Sequence, residues 1–264
     1  MKDHFLTLIK GAAVGGTMLV PGVSGGTMAM MLGLYDRLIR AVSSFHRHVR
    51  ANLVFLLWFC LGAGLGICLL AKPLLHLMQA FPLPCGFFFL GAVAGSVPMI
   101  YQKSSASSFE WRVPVYILLG VILVLLLSWI PTASPAAVDW SWPPLLLILA
   151  GIVAAVALVL PGISVSYLLL LLGLYDATIH ALDSFDLTFL LPLAVGLIIG
   201  ILSTAKLLEH LLARYPRATY LIILGFMLAS LPTLFPGWPQ GWEWPVCALT
   251  FLSGFCVLAR VSRL

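Results

Sequence analysis

PGVSGGTMAMMLGLYDRLI, residues 21–39, and PGISVSYLLLLLGLYDATI, residues 161–179, are two versions of one segment. Pro21-Gly22-Val23-Ser24 returns as Pro161-Gly162-Ile163-Ser164, and Gly33-Leu34-Tyr35-Asp36 as Gly173-Leu174-Tyr175-Asp176, both at an offset of 140. Further along, the register holds at 134. Gly62 and Gly66 match Gly196 and Gly200, Ala71-Lys72 matches Ala205-Lys206, His76 matches His210, Gly91 matches Gly225, and Ser96 and Pro98 match Ser230 and Pro232. A register kept over this distance with one indel is the signature of an internal duplication. It divides the chain into halves of about 1–140 and 141–264.

The surroundings of these segments belong in a bilayer. Only 9% of the 264 residues are charged and 62% are hydrophobic, with mean hydropathy +1.11, where a soluble domain carries about 25% charged residues. The uncharged stretches 53–71, 85–102, 113–137, 187–205, 218–242 and 244–259 each approach the length needed to cross a ~30 Å hydrocarbon layer as a helix. Trp111, Trp140, Trp142, Trp238, Trp242 and Trp244 gather near their ends, as an aromatic belt does. MKDHFLTLIK lacks a following small-residue cleavage site and is read as mature protein rather than a signal peptide. The five cysteines form no CxxC pair, so neither a disulfide framework nor a metal site is expected.

Each half thus holds one apolar segment interrupted by Pro-Gly, then three plain ones. The uncharged run 140–175 would measure about 54 Å as a straight helix, too long for one crossing, and Pro161-Gly162 lies near its middle. Charge decides between a full crossing and a hairpin that enters and returns. With both interrupted segments re-entrant and the N-terminus inside, every Lys and Arg except Lys72 is cytoplasmic. If they cross instead, Arg37, Arg40, Arg47, Arg50, Lys103 and Arg112 move outside, against the positive-inside rule. The fold expected is therefore an all-α polytopic membrane protein of two repeats, each one re-entrant helical hairpin plus three transmembrane helices. Three crossings per half is odd, so the repeats are inverted and both termini are cytoplasmic. Broken helices meeting near the midplane between inverted repeats are a transporter arrangement.

Candidate chemistry sits at the hairpin tips. Proline suits a break and serine an N-cap, so a helix restarts after Ser24 and after Ser164. The amides of Gly25, Gly26 and Thr27, and of Val165 and Ser166, are then donors at a positive dipole end suited to an anion. Consecutive Gly25 and Gly26 leave the first tip bare enough for a phosphate to approach. The competing reading is that Ser24 and Ser164 only cap their helices. Asp36 and Asp176 lie at the hairpin bases. Asp36 is read first as an i, i+4 partner of Arg40, and coupling of a cation through Asp36 and Asp176 is the second reading. Arg37, Arg40, Arg47 and Arg50 form a basic stretch that sets topology and meets anionic lipid. Arg37, with Ala177 at the matching position, joins the candidate headgroup set. The spacings Gly62-x3-Gly66, Gly91-x3-Gly95 and Gly196-x3-Gly200 are read as close helix packing.

At the tip motifs and the GLYD that follows, the chain resembles the bacterial polyprenyl-phosphate transporter family of the PopT type, over nearly its whole length. The resemblance implies a flippase in the bacterial plasma membrane that returns undecaprenyl phosphate, or a related polyprenyl phosphate, from the outer to the inner leaflet for reuse in cell-wall synthesis. It places the headgroup at residues 21–27 and 161–167. The expected partners are that lipid and membrane lipids, with no nucleic acid and no cofactor beyond a coupling cation, H+ or Na+. Two alternatives stand beside it. Polyprenyl-diphosphate phosphatases also resemble paired re-entrant hairpins with a Pro-Gly-x-Ser tip, but their sites need an arginine beside the serine and acidic residues nearby. Here Ser24 precedes two glycines and no carboxylate lies between Asp139 and Asp176, so hydrolysis lacks its cation clamp and its acid or base. A transporter of a small soluble anion is the other alternative.

Overall fold

The computed structural model describes residues 2–18, 24–104, 110–130 and 142–261. Pro21, Gly22 and Val23 of the first tip, and the expected boundary between the halves at 140/141, lie outside these residues. Every regular element described is helical: α1 (Lys2–Thr17), α2 (Gly25–Met31), α3 (Tyr35–Ser43), a 3-10 turn (Phe45–Arg47), α4 (Val49–Ala80), α5 (Pro82–Lys103) and α6 (Arg112–Ser128), then α7 (Pro144–Val159), α8 (Val165–Leu171), α9 (Tyr175–Ser184), α10 (Leu187–Arg214), α11 (Pro216–Ala229), α12 (Leu231–Leu234) and α13 (Glu243–Val261). Among the described residues, five helical segments are long and apolar enough to cross a membrane: 49–70, 82–103, 187–214, 216–234 and 243–260. A sixth is reached if α8 and α9, bent by 111° at their junction, count as one. The protein is a multi-pass membrane protein. The plain segments read from sequence coincide with α4, α5, α6, α10, α11 with α12, and α13, of which α6, at 17 residues, is the shortest of those formed by a single helix.

The breaks have local causes that repeat. Ser24 caps α2, its Oγ accepting from the Thr27 N–H at 3.1 Å, and Ser164 caps α8, accepting from the Tyr167 N–H at 3.4 Å. At the other end of α2, the Gly33 N–H donates to Met30 and the Leu34 N–H to Ala29, with Gly33 at φ +69°. This is a Schellman ending, in which glycine takes the left-handed position. Gly173, at φ +68°, repeats it with donors to Leu170 and Leu169 closing α8. GLYD is therefore a helix stop followed at once by a new start. Asp186 opens α10 by accepting from the Thr188 N–H (3.0 Å) and hydroxyl (2.6 Å), and these bonds hold its carboxyl below the usual range.

Small residues fix the packing. α4 lies on α1, with Gly62 against Leu8 and Gly66 against Ala12; α10 lies on α7, with Gly196 against Ile148 and Gly200 against Ile152. The last helices exchange partners between the halves. α5 packs on α13 through Gly91 against Phe251 and Gly254 against Phe88, while α6 packs on α11 through Gly225 against Ile117 and Gly120 against Ile222. Each pair maps onto its counterpart at the offsets of 140 and 134. A methyl group at any of these glycines would run into the neighbouring helix backbone, so they are the close-approach positions of small-residue membrane packing. At the centre, Met30 and Met31 of α2, Ile100 of α5, and Ile223, Leu224 and Met227 of α11 are fully buried. α4, α6, α10 and α13 turn exposed apolar side chains such as Leu61, Leu126, Leu191 and Leu249 outward.

Candidate functional site

The two breaks meet. The Gly162 N–H of the second donates to Thr27 Oγ1 at 2.9 Å and to Ser24 Oγ at 3.2 Å, and those two hydroxyls share a hydrogen bond of 2.8 Å. Gly26 faces the Leu160–Pro161 backbone so closely that a Cβ there would lie 3.2 Å from the Pro161 nitrogen. Immediately behind, the Tyr35 hydroxyl donates to the Val159 carbonyl at 2.9 Å, tying the start of α3 to the end of α7. The space expected in front of Gly26 is thus occupied by the second tip. The Thr27 amide, expected free, is taken by the Ser24 cap. The amides of Gly25 and Gly26 belong to the first turn of α2, which has no intrahelical acceptors.

The tips differ in setting. Gly26 and Thr27 are buried and Ser24 and Gly25 half-buried, whereas Ser164 and Ser166 are exposed and Val165 half-buried. Beside the first tip opens a cavity of about 270 Å³, whose walls include Gly25, Gly26, Met18, Leu38, Phe59 and Ile201. Its lining is hydrocarbon almost throughout; Gly25 and Gly26 of the first tip form part of its wall, whereas Ser24, Thr27 and Gly162 are not among the lining residues.

The two GLYD segments have asymmetric surroundings. Asp36 does not take Arg40 as its side-chain partner, as the helical spacing suggested. Its carboxylate pairs with Lys103 at the end of α5, and Arg40 Nε donates to the Asp36 main-chain carbonyl at 3.2 Å. Lys103 and Arg40 carry the same charge, but Lys103 meets Asp36 where the two side chains are only partly exposed, so their attraction is less screened than a pairing with the exposed Arg40 would be. Lys103 also lies 5.9 Å from the centre of the Tyr220 ring. Asp176 is exposed at the start of α9, and the position matching Lys103 at the 134 offset is Gly237. Arg37, itself exposed, stands over the buried Phe55 ring at 4.2 Å, a cation–π contact in the first turn of α3.

Three contributors escaped the sequence reading. Lys10, counted there only for topology, donates to the Leu32 carbonyl at 2.9 Å and so completes the end of α2. Glu209 in α10 accepts from Ser43 (2.7 Å) and Ser44 (2.8 Å) and anchors α3 across the halves. A carboxylate inside an apolar helix is a signal that sequence carries. Arg217 pairs with Glu110 at 3.1 Å, again between halves.

Comparison with known proteins follows the same lines. A family model described as undecaprenyl phosphate translocase-like matches residues 14–250. A polyprenyl-phosphate transporter of Vibrio cholerae is 32% identical over 263 residues, covering 92% of this chain and 81% of that protein. A polyprenyl-phosphate transporter of Staphylococcus aureus is 30% identical over 273 residues, covering 98% and 96%. No solved structure matches. Both relatives are named transporters and not enzymes. The chain belongs to the undecaprenyl phosphate translocase-like family.

Proposed function

We propose that this protein is a flippase that carries undecaprenyl phosphate, or a related polyprenyl phosphate, from the outer to the inner leaflet of the bacterial plasma membrane, returning the carrier lipid for reuse. The observation that carries the reading is the polar junction of the two breaks together with an apolar chamber walled in part by Gly25 and Gly26 of the first tip. An amphipathic ligand needs that combination: donors for a phosphate and hydrocarbon walls for the first units of its tail. In the present arrangement Ser24, Thr27 and Gly162 satisfy one another. A headgroup replaces that mutual bonding when the tips part: phosphate oxygens accept from the Gly162 amide and from the Ser24 and Thr27 hydroxyls, while Gly25, Gly26, Val165 and Ser166 offer first-turn amides. Ser164 adds a hydroxyl from the exposed side, and Arg37 steers anions toward the hairpin base.

The test uses the double variant Ser24→Ala/Thr27→Val, which keeps the volume of the tip and removes its hydroxyls. Its affinity for a polyprenyl phosphate is expected to fall about tenfold, equivalent to ~1.4 kcal/mol, with monodispersity unchanged. Inorganic phosphate at millimolar concentration is expected not to compete for binding to the parent. Competition by the free anion would favour a soluble-anion transporter, and unchanged lipid affinity in the variant would remove the tip from the site.

The architecture that suits this task is two inverted repeats, 1–140 and 141–264, each with a re-entrant hairpin and both termini cytoplasmic. The paired glycine contacts at constant offset and the two capped, Schellman-ended short helices support it. Single-cysteine labelling in a cysteine-free background checks it. A membrane-impermeant reagent applied from outside should modify position 183 and spare position 47; the reverse pattern would overturn the inverted arrangement. Carrying an anion toward a negative interior is opposed by ~2.3 kcal/mol per charge per 100 mV, so a cation, H+ or Na+, travels with it. Asp36 is the better placed coupling group, since Lys103 beside it ties its charge state to α5; Asp176 is the second.

A further inference from the structure

A second pocket, polar where the first is apolar, lies away from the tips, at the start of α6 and the junction of α10 with α11. It measures about 250 Å³ and is lined by Arg112, Tyr116, Arg214, Tyr215, Arg217 and Ala218 among others. Three arginines face it, and the carboxylate bonded to one of them is Glu110. Glu110 bonds only Nη1 of Arg217. The remaining nitrogens of that guanidinium, Nε and Nη2, are buried and have no hydrogen-bond partner among the described residues. Nε and Nη2 form the side-on fork of arginine, the edge that takes two oxygens of a carboxylate or phosphate at once. A buried, charged donor pair left without an acceptor is costly, and the neighbouring Arg112 and Arg214 add charge of the same sign. An anion resolves all three.

The depth of the pocket narrows the ligand. Trp111, exposed and 5.8 Å from the Arg112 guanidinium, opens α6, and Tyr215 is exposed beside Arg214. Aromatic side chains that stay exposed at helix starts mark the membrane–water interface, where lipid headgroups lie. Basic pockets between membrane helices at that level bind phosphate headgroups. We propose that Arg112, Arg214 and Arg217 form a second anion site for a phosphate group, separate from the helix breaks, with Arg217 supplying the bidentate fork. It goes beyond the transport reading and does not depend on it.

The test uses the full-length purified protein with two probes: dioleoyl phosphatidic acid, followed by native mass spectrometry, and inorganic phosphate, followed by its protection against thermal unfolding. Arg214→Gln and Arg217→Gln are each expected to weaken retention of phosphatidic acid about tenfold. Arg214 is exposed, so its variant reports binding even if Arg217→Gln unfolds the protein. Glu110→Gln, which removes the Arg217 ion pair but leaves the fork, is expected to retain the lipid as the parent does. Ser24→Ala/Thr27→Val should leave this site intact, which separates its failure from failure of the transport site. Protection by inorganic phosphate that is lost in Arg214→Gln would identify the anion as free phosphate; retention of phosphatidic acid without such protection would identify a lipid headgroup. Either result supports the site. Equal retention of phosphatidic acid by the parent, Arg214→Gln and Arg217→Gln, with no protection by phosphate, would overturn it. So would a loss in Glu110→Gln as large as in Arg217→Gln, because the arginine would then serve only its ion pair.

Discussion

Gly66→Val is expected to abolish recovery of monodisperse protein. A Cβ at this position falls on the Ala12 carbonyl of α1, well inside van der Waals contact and against backbone that cannot swing aside. Inserting bulk into a packed interface ordinarily costs about 1–3 kcal/mol, and more where neither side can yield. The expected penalty exceeds ~3 kcal/mol, a large share of the 5–15 kcal/mol typical of a folded domain. Gly26→Val makes the informative contrast. Its Cβ meets Pro161 at 3.2 Å and Leu160 at 3.4 Å, distances that a small parting of the tips relieves. That variant should purify as a monodisperse species with reduced thermal stability and lose polyprenyl-phosphate binding. Size-exclusion profiles of the two, side by side, give the comparison. Monodisperse Gly66→Val would show that α1 and α4 are held by something other than their small-residue seam.

Asp36→Ala should destabilise the protein far more than Asp36→Ala and Lys103→Met together. The ion pair is partly buried, its side chains 20% and 28% exposed, so deleting the acid alone leaves an ammonium at the end of α5 without its counter-charge. Breaking a fully buried pair costs about 3–5 kcal/mol; with this exposure about 2–3 kcal/mol is expected after screening. Replacing both partners by apolar groups removes the uncompensated charge, and the double variant should recover most of the loss in thermal unfolding. If Asp36 couples the cation as proposed, transport should fail in both. A double variant no more stable than Asp36→Ala would mean that the two residues act separately.

What was legible in the sequence was what local chemistry decides. Ser24 and Ser164 cap helices because a serine before a free first turn does so in any setting. Gly33 and Gly173 end helices because the left-handed position suits glycine. The plain membrane helices follow from stretches without charge. Contacts between the halves were not legible. Asp36 has Arg40 one turn away and Lys103 sixty-seven residues away, and only the fold brings the second within reach. Gly26 looks open along the chain because nothing local shows that Pro161 will lie against it. Glu209 was legible: a carboxylate near the end of a long, largely apolar helix calls for a polar partner, here Ser43 and Ser44. The Arg217 fork required the structure, since its significance rests on which nitrogens Glu110 leaves unbonded.

Movement of a polyprenyl phosphate between leaflets is measured directly by reconstitution. Purified protein is placed in liposomes whose outer leaflet is loaded with a polyprenyl phosphate, and the fraction still accessible to a membrane-impermeant phosphate-modifying reagent is followed over time. Proteoliposomes with the parent chain should lose outer-leaflet lipid far faster than protein-free liposomes, and those with Ser24→Ala/Thr27→Val should not. Loss at the protein-free rate with the parent chain would mean that this protein does not move polyprenyl phosphate between leaflets.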